Sequence, residues 1–151
     1  MLLKAKKSLG QNFLIDKNIV KEIVGLGNID SKSQVIEIGS GTGNLTREIL
    51  SKNPKELVLI EKDRLLFDKL KSIFSDKAKI INSDFLKLKD HINLNNSIIF
   101  GNLPYNVSTQ ILTKLISLYQ SNNKFLKLIL MFQKEVADRI VAKPNTINYG
   151  R

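Results

Sequence analysis

The chain has 151 residues, 42% apolar and 25% charged, a length and composition that fit one globular domain with a sizeable core. It holds no cysteine and a single histidine, His91, and no apolar run nears the roughly 20 residues that cross a bilayer, so disulfide scaffolds, Cys/His zinc sites and membrane spans are excluded. The net charge of +10 suits a polyanion such as nucleic acid, although coding rich in lysine, asparagine and isoleucine would give the same excess.

Lys4, Lys6 and Lys7 make the start a basic arm that either reaches phosphates or is simply solvated. It lacks the apolar stretch of a secretory signal, which makes a cytoplasmic location the default. Ile19, Val20, Ile23 and Val24 then share one helical face. Val35-Ile36-Glu37-Ile38-Gly39 reads as a first strand running into a glycine-rich turn that opens a helix. Leu57-Val58-Leu59-Ile60 is a second strand, and Leu66, Leu70, Ile73 and Phe74 stripe the helix after it. Lys79-Ile80-Ile81-Asn82 and Ser97 to Phe100 are the third and fourth strands. Ile111, Leu112, Leu115, Ile116 and Tyr119 stripe another helix, before a fifth strand at Leu126 to Phe132 and a last helix at Gln133 to Val141. Strands without polar alternation are buried on both faces of a parallel sheet. Their regular exchange with helices predicts βαβ units and an α/β fold with a doubly wound, mostly parallel sheet. Nothing after Val141 would cover the far side of the fifth strand, so the chain reads as stopping short of its full domain, with an open apolar edge.

Three strand ends carry groups suited to a ligand, at the carboxyl edge where open α/β sheets bind one. After the first strand, Gly39-Ser40-Gly41-Thr42-Gly43-Asn44 lets the backbone approach an anion at a helix start. A dinucleotide fingerprint would want glycine at 39, 41 and 44, but 44 is asparagine. The loop fits better around the amino-acid end of S-adenosylmethionine, the alternative being a plain turn. Glu61 ends the second strand 22 residues after Gly39, where a carboxylate can accept both ribose hydroxyls. Alternatively, Glu61-Lys62-Asp63-Arg64 is a solvated charge cluster with Asp63 capping the next helix. Asp84, after the third strand, can accept the adenine amine of a cofactor or cap the turn at Phe85-Leu86.

Asn102-Leu103-Pro104-Tyr105, directly after the fourth strand, is the most specific signal. The Asn102 amide oxygen and a carbonyl of Leu103 or Pro104 can accept hydrogen bonds from an exocyclic amine, while Tyr105 stacks on the ring that bears it. Pro104 stiffens the turn and offers no competing N–H. With the glycine loop upstream, this points to methyl transfer onto adenine N6.

Gly10-Gln11-Asn12-Phe13-Leu14, Glu37 to Gly43, Gly101 to Asn106 and Gln133-Lys134-Glu135-Val136-Ala137 together resemble the small-subunit ribosomal RNA adenine dimethyltransferases, the kasugamycin-resistance family. The likeness covers essentially the whole chain in the family's order. It implies a Rossmann-like class I methyltransferase that uses S-adenosylmethionine to dimethylate two adjacent adenosines near the 3′ end of small-subunit rRNA, within an immature subunit. It further implies cofactor contacts at Asn12, Leu14, Gly39, Gly41, Glu61, Asp84 and Asn102, catalysis by Asn102, Leu103, Pro104 and Tyr105, no metal, and a monomeric parent. On the residues alone, Asn12 and Leu14 read as a polar turn before a helix capped by Asp16.

The Gln133 to Arg151 segment favours this branch over the erythromycin-resistance methyltransferases of large-subunit rRNA. Relatives of this kind continue past Arg151 into two more strands and a helical domain, so residues 1–151 are expected to be an N-terminal catalytic domain, able to bind cofactor but impaired in turnover. A non-catalytic RNA-binding or ribosome-assembly module is the main rival. A nicotinamide dehydrogenase fails on Asn44, and a DNA adenine methyltransferase lacks the companion motifs.

Overall fold

The computed structural model describes residues 15–88, 92–121 and 124–149. Asn12, Leu14 and the lysines at 4, 6 and 7 lie outside them. In chain order the elements are α1 (Lys17–Gly25), β1 (Gln34–Ile38), α2 (Asn44–Ser51), β2 (Glu56–Glu61), α3 (Arg64–Phe74), β3 (Lys79–Asn82), β4 (Ser97–Asn102), α4 (Ser108–Gln120), β5 (Lys127–Met131) and α5 (Lys134–Ile140). A 3-10 turn, Phe85–Lys87, follows β3.

All four strand pairings are parallel, and the order across the sheet is β3-β2-β1-β4-β5. Successive side chains point to opposite faces, so the strands supply two cores. Val35, Leu57, Leu59, Ile98 and Phe100 pack with Val20 and Val24 of α1, Leu45 and Ile49 of α2 and Leu70 and Phe74 of α3. Ile36, Ile38, Val58, Ile60 and Ile99 pack on the other face with Ile111 and Leu115 of α4, Phe85 and Leu103. The expected doubly wound α/β fold is thus present, with α1–α3 on one face and α4 on the other.

Local chemistry sets the helix starts. Asp16 accepts the N–H groups of Asn18 and Ile19, and Asp63 those of Leu65 and Leu66, each occupying donors the first turn leaves open. The apolar stripe expected on α4 is narrower than the sequence suggests. Ile111 and Leu115 are buried, whereas Ile116 and Tyr119 are exposed. Tyr119 instead meets Phe125, with ring centroids 4.9 Å apart, under the Lys124 ammonium. No helix among the described residues is long and apolar enough to cross a membrane.

The order places a switch point between β1 and β4. From β1 the chain winds outward through β2 and β3, then returns to lay β4 on the other side. Loops leaving the carboxyl ends of β1 and β4 diverge there and open a cleft, the usual ligand position in such sheets.

Candidate active site

Gly39, Gly41 and Gly43 all have positive φ, at +75°, +57° and +80°. These are left-handed conformations that side chains rarely tolerate, and they fold the loop tightly over the end of β1. The Gly39 N–H donates to the Ile60 carbonyl at 2.8 Å, bending the loop toward β2, and the Gly43 N–H donates to the Ser40 carbonyl at 2.9 Å. A Cβ on Gly43 would lie 2.7 Å from the Phe74 ring, so glycine is also needed there for α2 to dock on α3. The residue at the start of α2, Gly43, has no side chain to cap the helix, so the loop runs into α2 on backbone alone.

Glu61 is the hub of the loops that leave β1 and β2. Only 6% exposed, it accepts the Gly41 N–H on Oε2 and the Asp63 N–H on Oε1, each at 2.8 Å. It is therefore no part of a solvated cluster, although Asp63 does cap α3 as the competing reading held. Burial pushes its carboxyl above the ordinary value, and the Asp63 and Gly41 N–H groups partly oppose that. Asn82 ties the tips of β2 and β3 together, its amide donating to the Glu61 carbonyl at 2.8 Å.

Asp84 caps the 3-10 turn, accepting the Leu86 N–H at 3.0 Å, and pairs with the Lys62 ammonium at 2.8 Å. Burial works against its charged form, but Lys62 and the Leu86 N–H outweigh it, holding the carboxyl below the usual range.

On the acceptor side, Ile38 and Gly101 are register partners, so the two loops leave neighbouring strands at the same level. A Cβ built on Gly39 would lie 3.5 Å from the Asn102 carbonyl, in ordinary contact, which puts Asn102 beside the glycine loop. Leu103 is buried among Ile36, Ile99 and Ile111 and anchors the turn to the core. A side chain on Gly101 would strike Leu103 at 2.7 Å, so glycine before Asn102 lets Leu103 fold inward. The Pro104 carbonyl accepts the Val107 N–H at 3.1 Å and the Tyr105 carbonyl accepts the Ser108 hydroxyl at 3.2 Å, which locks the turn onto α4. Tyr105 remains 44% exposed.

Gly39, Gly41, Glu61, Asp84 and Asn102 therefore meet along the carboxyl edge of the sheet, with Leu103, Pro104 and Tyr105 following Asn102. The donor set fits an adenosyl cofactor. Each Glu61 oxygen retains a lone pair, three of the five residues of the glycine loop lack a side chain, and the Ser40 hydroxyl is buried with no hydrogen-bond partner among the described residues. No group of three or more His, Cys, Asp or Glu able to hold a metal occurs among the described residues.

The sequence reading missed Glu37. Buried completely in β1, it accepts the Thr46 hydroxyl at 2.7 Å and thereby ties the strand to α2 behind the glycine loop. Burial pushes its carboxyl up to about 8, against the Thr46 bond and with help from the Glu61 charge. A carboxylate inside an otherwise apolar strand was the available signal.

The sequence model of the ribosomal RNA adenine dimethylase family matches residues 2–151. The chain belongs to that family. A ribosomal RNA small subunit methyltransferase A from Pelagibacter ubique is 53% identical over the whole chain, which covers 58% of that relative, so the chain spans just over half the length of such relatives. The crystal structure of a dimethyladenosine transferase from Plasmodium falciparum superposes with a TM-score of 0.79 at 30% identity, over 91% of this chain and 49% of that one. The 23S rRNA methyltransferase ErmE shares the fold, with a TM-score of 0.72 at 23% identity over 93% of this chain and 53% of its own. The family member described here thus has the class I methyltransferase fold.

Proposed function

We propose that residues 1–151 are the methyltransferase domain of a longer cytoplasmic protein that dimethylates N6 of adjacent adenosines near the 3′ end of small-subunit rRNA, using S-adenosylmethionine. The observation that carries this reading is the closeness of Gly39 to Asn102, whose carbonyl would lie 3.5 Å from a Cβ built on Gly39, because it brings a cofactor-type loop beside an amine-accepting motif. The cofactor supplies an electrophilic methyl on a sulfonium.

The chain's own residues do the rest. The glycine loop and the start of α2 receive the cofactor's carboxylate. Glu61 accepts the ribose hydroxyls and Asp84 the adenine amine, with Asn12 and Leu14 completing the site from the N-terminal side. The target adenine leaves its stack, and Tyr105 packs on its face. Asn102 Oδ1 accepts one N6 hydrogen. The Leu103 carbonyl is better suited than that of Pro104 to accept the second, because Pro104 already receives the Val107 N–H. Holding both hydrogens localises the nitrogen lone pair and stabilises the positive charge that grows on N6. Fixed orientation supplies much of the rate, and the N6 proton leaves to solvent once the new bond has formed. Rotation about the C–N bond then presents the monomethylated amine for a second round.

Calorimetric titration with S-adenosylmethionine should give micromolar binding, and tritiated methyl should pass from it to immature small subunits when the full-length protein is used. Binding without transfer to any RNA would favour the assembly-factor reading. Transfer to large-subunit rRNA alone would replace the substrate.

A further inference from the structure

The Asn-Leu-Pro-Tyr turn and the Asp84 turn lie on different loops, yet α4, which follows the first, sends a side chain to the second. Lys114, midway along α4, is half-buried and donates all three of its ammonium hydrogens to backbone carbonyls: Phe85 at 2.8 Å, Leu86 at 3.0 Å and Leu88 at 2.6 Å. Its charge also sits 5.2 Å from the centre of the Phe85 ring. Carbonyls at the end of a 3-10 turn have few partners within it, and here a lysine from another helix bonds them, that of Phe85 alongside the Leu88 N–H at 3.3 Å. The other end of the same turn is held by Asp84, whose carboxylate accepts the Leu86 N–H. Its backbone carbonyl accepts the N–H groups of Lys87 and Leu88. The orientation of the Asp84 carboxylate therefore depends on a turn clamped from both sides. The first turn of α4 meanwhile holds Pro104 and Tyr105 through Val107 and Ser108.

We propose that Lys114 is a positioning residue for the cofactor's base, fixing the Asp84 turn at a set distance from the amine-accepting motif through α4. The proposal rests on the reading of Asp84 as the acceptor for the adenine amine. A compact ammonium with three rotatable donors suits three carbonyls converging on one point, whereas a planar guanidinium does not. Lys114→Met keeps the aliphatic stem against Phe85 and removes all three bonds.

The test titrates wild type and K114M with S-adenosylhomocysteine and with its inosine counterpart, in which an oxo group replaces the adenine amine. Wild type should prefer the adenine ligand. K114M should lose about tenfold in affinity for it, with little change for the inosine ligand, so that discrimination collapses. Amide exchange of the ligand-free chain should rise at residues 84–88 and stay unchanged in β1, β2 and β4. Wild-type discrimination retained in K114M, or equal losses for both ligands with exchange rising throughout, would overturn the proposal, the second result making Lys114 a general stabiliser. If K114M does not fold, Lys114→Arg replaces it with the same expectations. Failure of wild type to bind either ligand would instead remove the cofactor reading itself, and the proposal with it.

Discussion

Glu61 holds a carboxylate almost out of water between two backbone N–H groups, and burial raises its pKa, so the proposed seating of the cofactor's ribose on it would make binding proton-linked. Ribose hydroxyls donated to it would favour the ionised form and lower its pKa. Binding should therefore release a proton, with affinity rising as pH climbs from the ordinary carboxylate value through the raised one. Calorimetry in buffers of differing ionisation enthalpy measures that release, and Glu61→Gln should abolish it; a pH-independent affinity in wild type would contradict the assignment. Asn102 plays a different part. Asn102→Ala should leave S-adenosylmethionine affinity within a few-fold of wild type while turnover of the full-length protein falls on the order of a hundredfold or more. Single-turnover methyl transfer measures this, and unchanged turnover would take Asn102 out of the mechanism.

At the scale of elements, the glycine loop and α2 act as one unit. Gly43 combines a φ of +80° with a missing Cβ that would lie 2.7 Å from Phe74. Gly43→Ala should cost roughly 1–3 kcal/mol in urea unfolding, because the residue must adopt a disfavoured conformation and push the ring aside. It should weaken cofactor binding as well, since the loop moves with α2. Strands of this kind were readable in the sequence because Leu57 to Ile60 and Ser97 to Phe100 are apolar without alternation, as two-sided burial demands. The partial exposure of α4 was not, since Ile116 and Tyr119 keep the helical period of the buried stripe. Where that stripe ends depends on what packs against the helix, which the period does not state. The strand-end positions of Glu61 and Asn102, and of Asp84 two residues past β3, were readable because an apolar run stops at each. The ties of Lys114 to Phe85, Leu86 and Leu88 were not, because they join residues 26 to 29 apart with no local period to announce them.

For the whole molecule, five parallel strands bring loops from distant parts of the chain to one edge, and the chain's net charge of +10 suits a polyanionic partner. Binding to single-stranded rRNA should weaken with salt by a log–log slope of about −0.7 for each phosphate neutralised. Alanine at Lys4, Lys6 and Lys7 together should make that slope shallower by about 2 if the arm touches three phosphates. A slope unaltered by those substitutions would assign the phosphate contacts to other lysines. The central claim, a methyl donor seated on the β1 loop and facing an amine held by the β4 loop, is tested most directly by a crystal structure with S-adenosylhomocysteine. The account predicts the ligand's carboxylate at the glycine loop, its ribose on Glu61, its adenine at Asp84 and its sulfur open toward Asn102. A ligand lodged instead in the groove beside Arg47 and Phe74, or lying in the cleft with its sulfur turned away from Asn102, would contradict it.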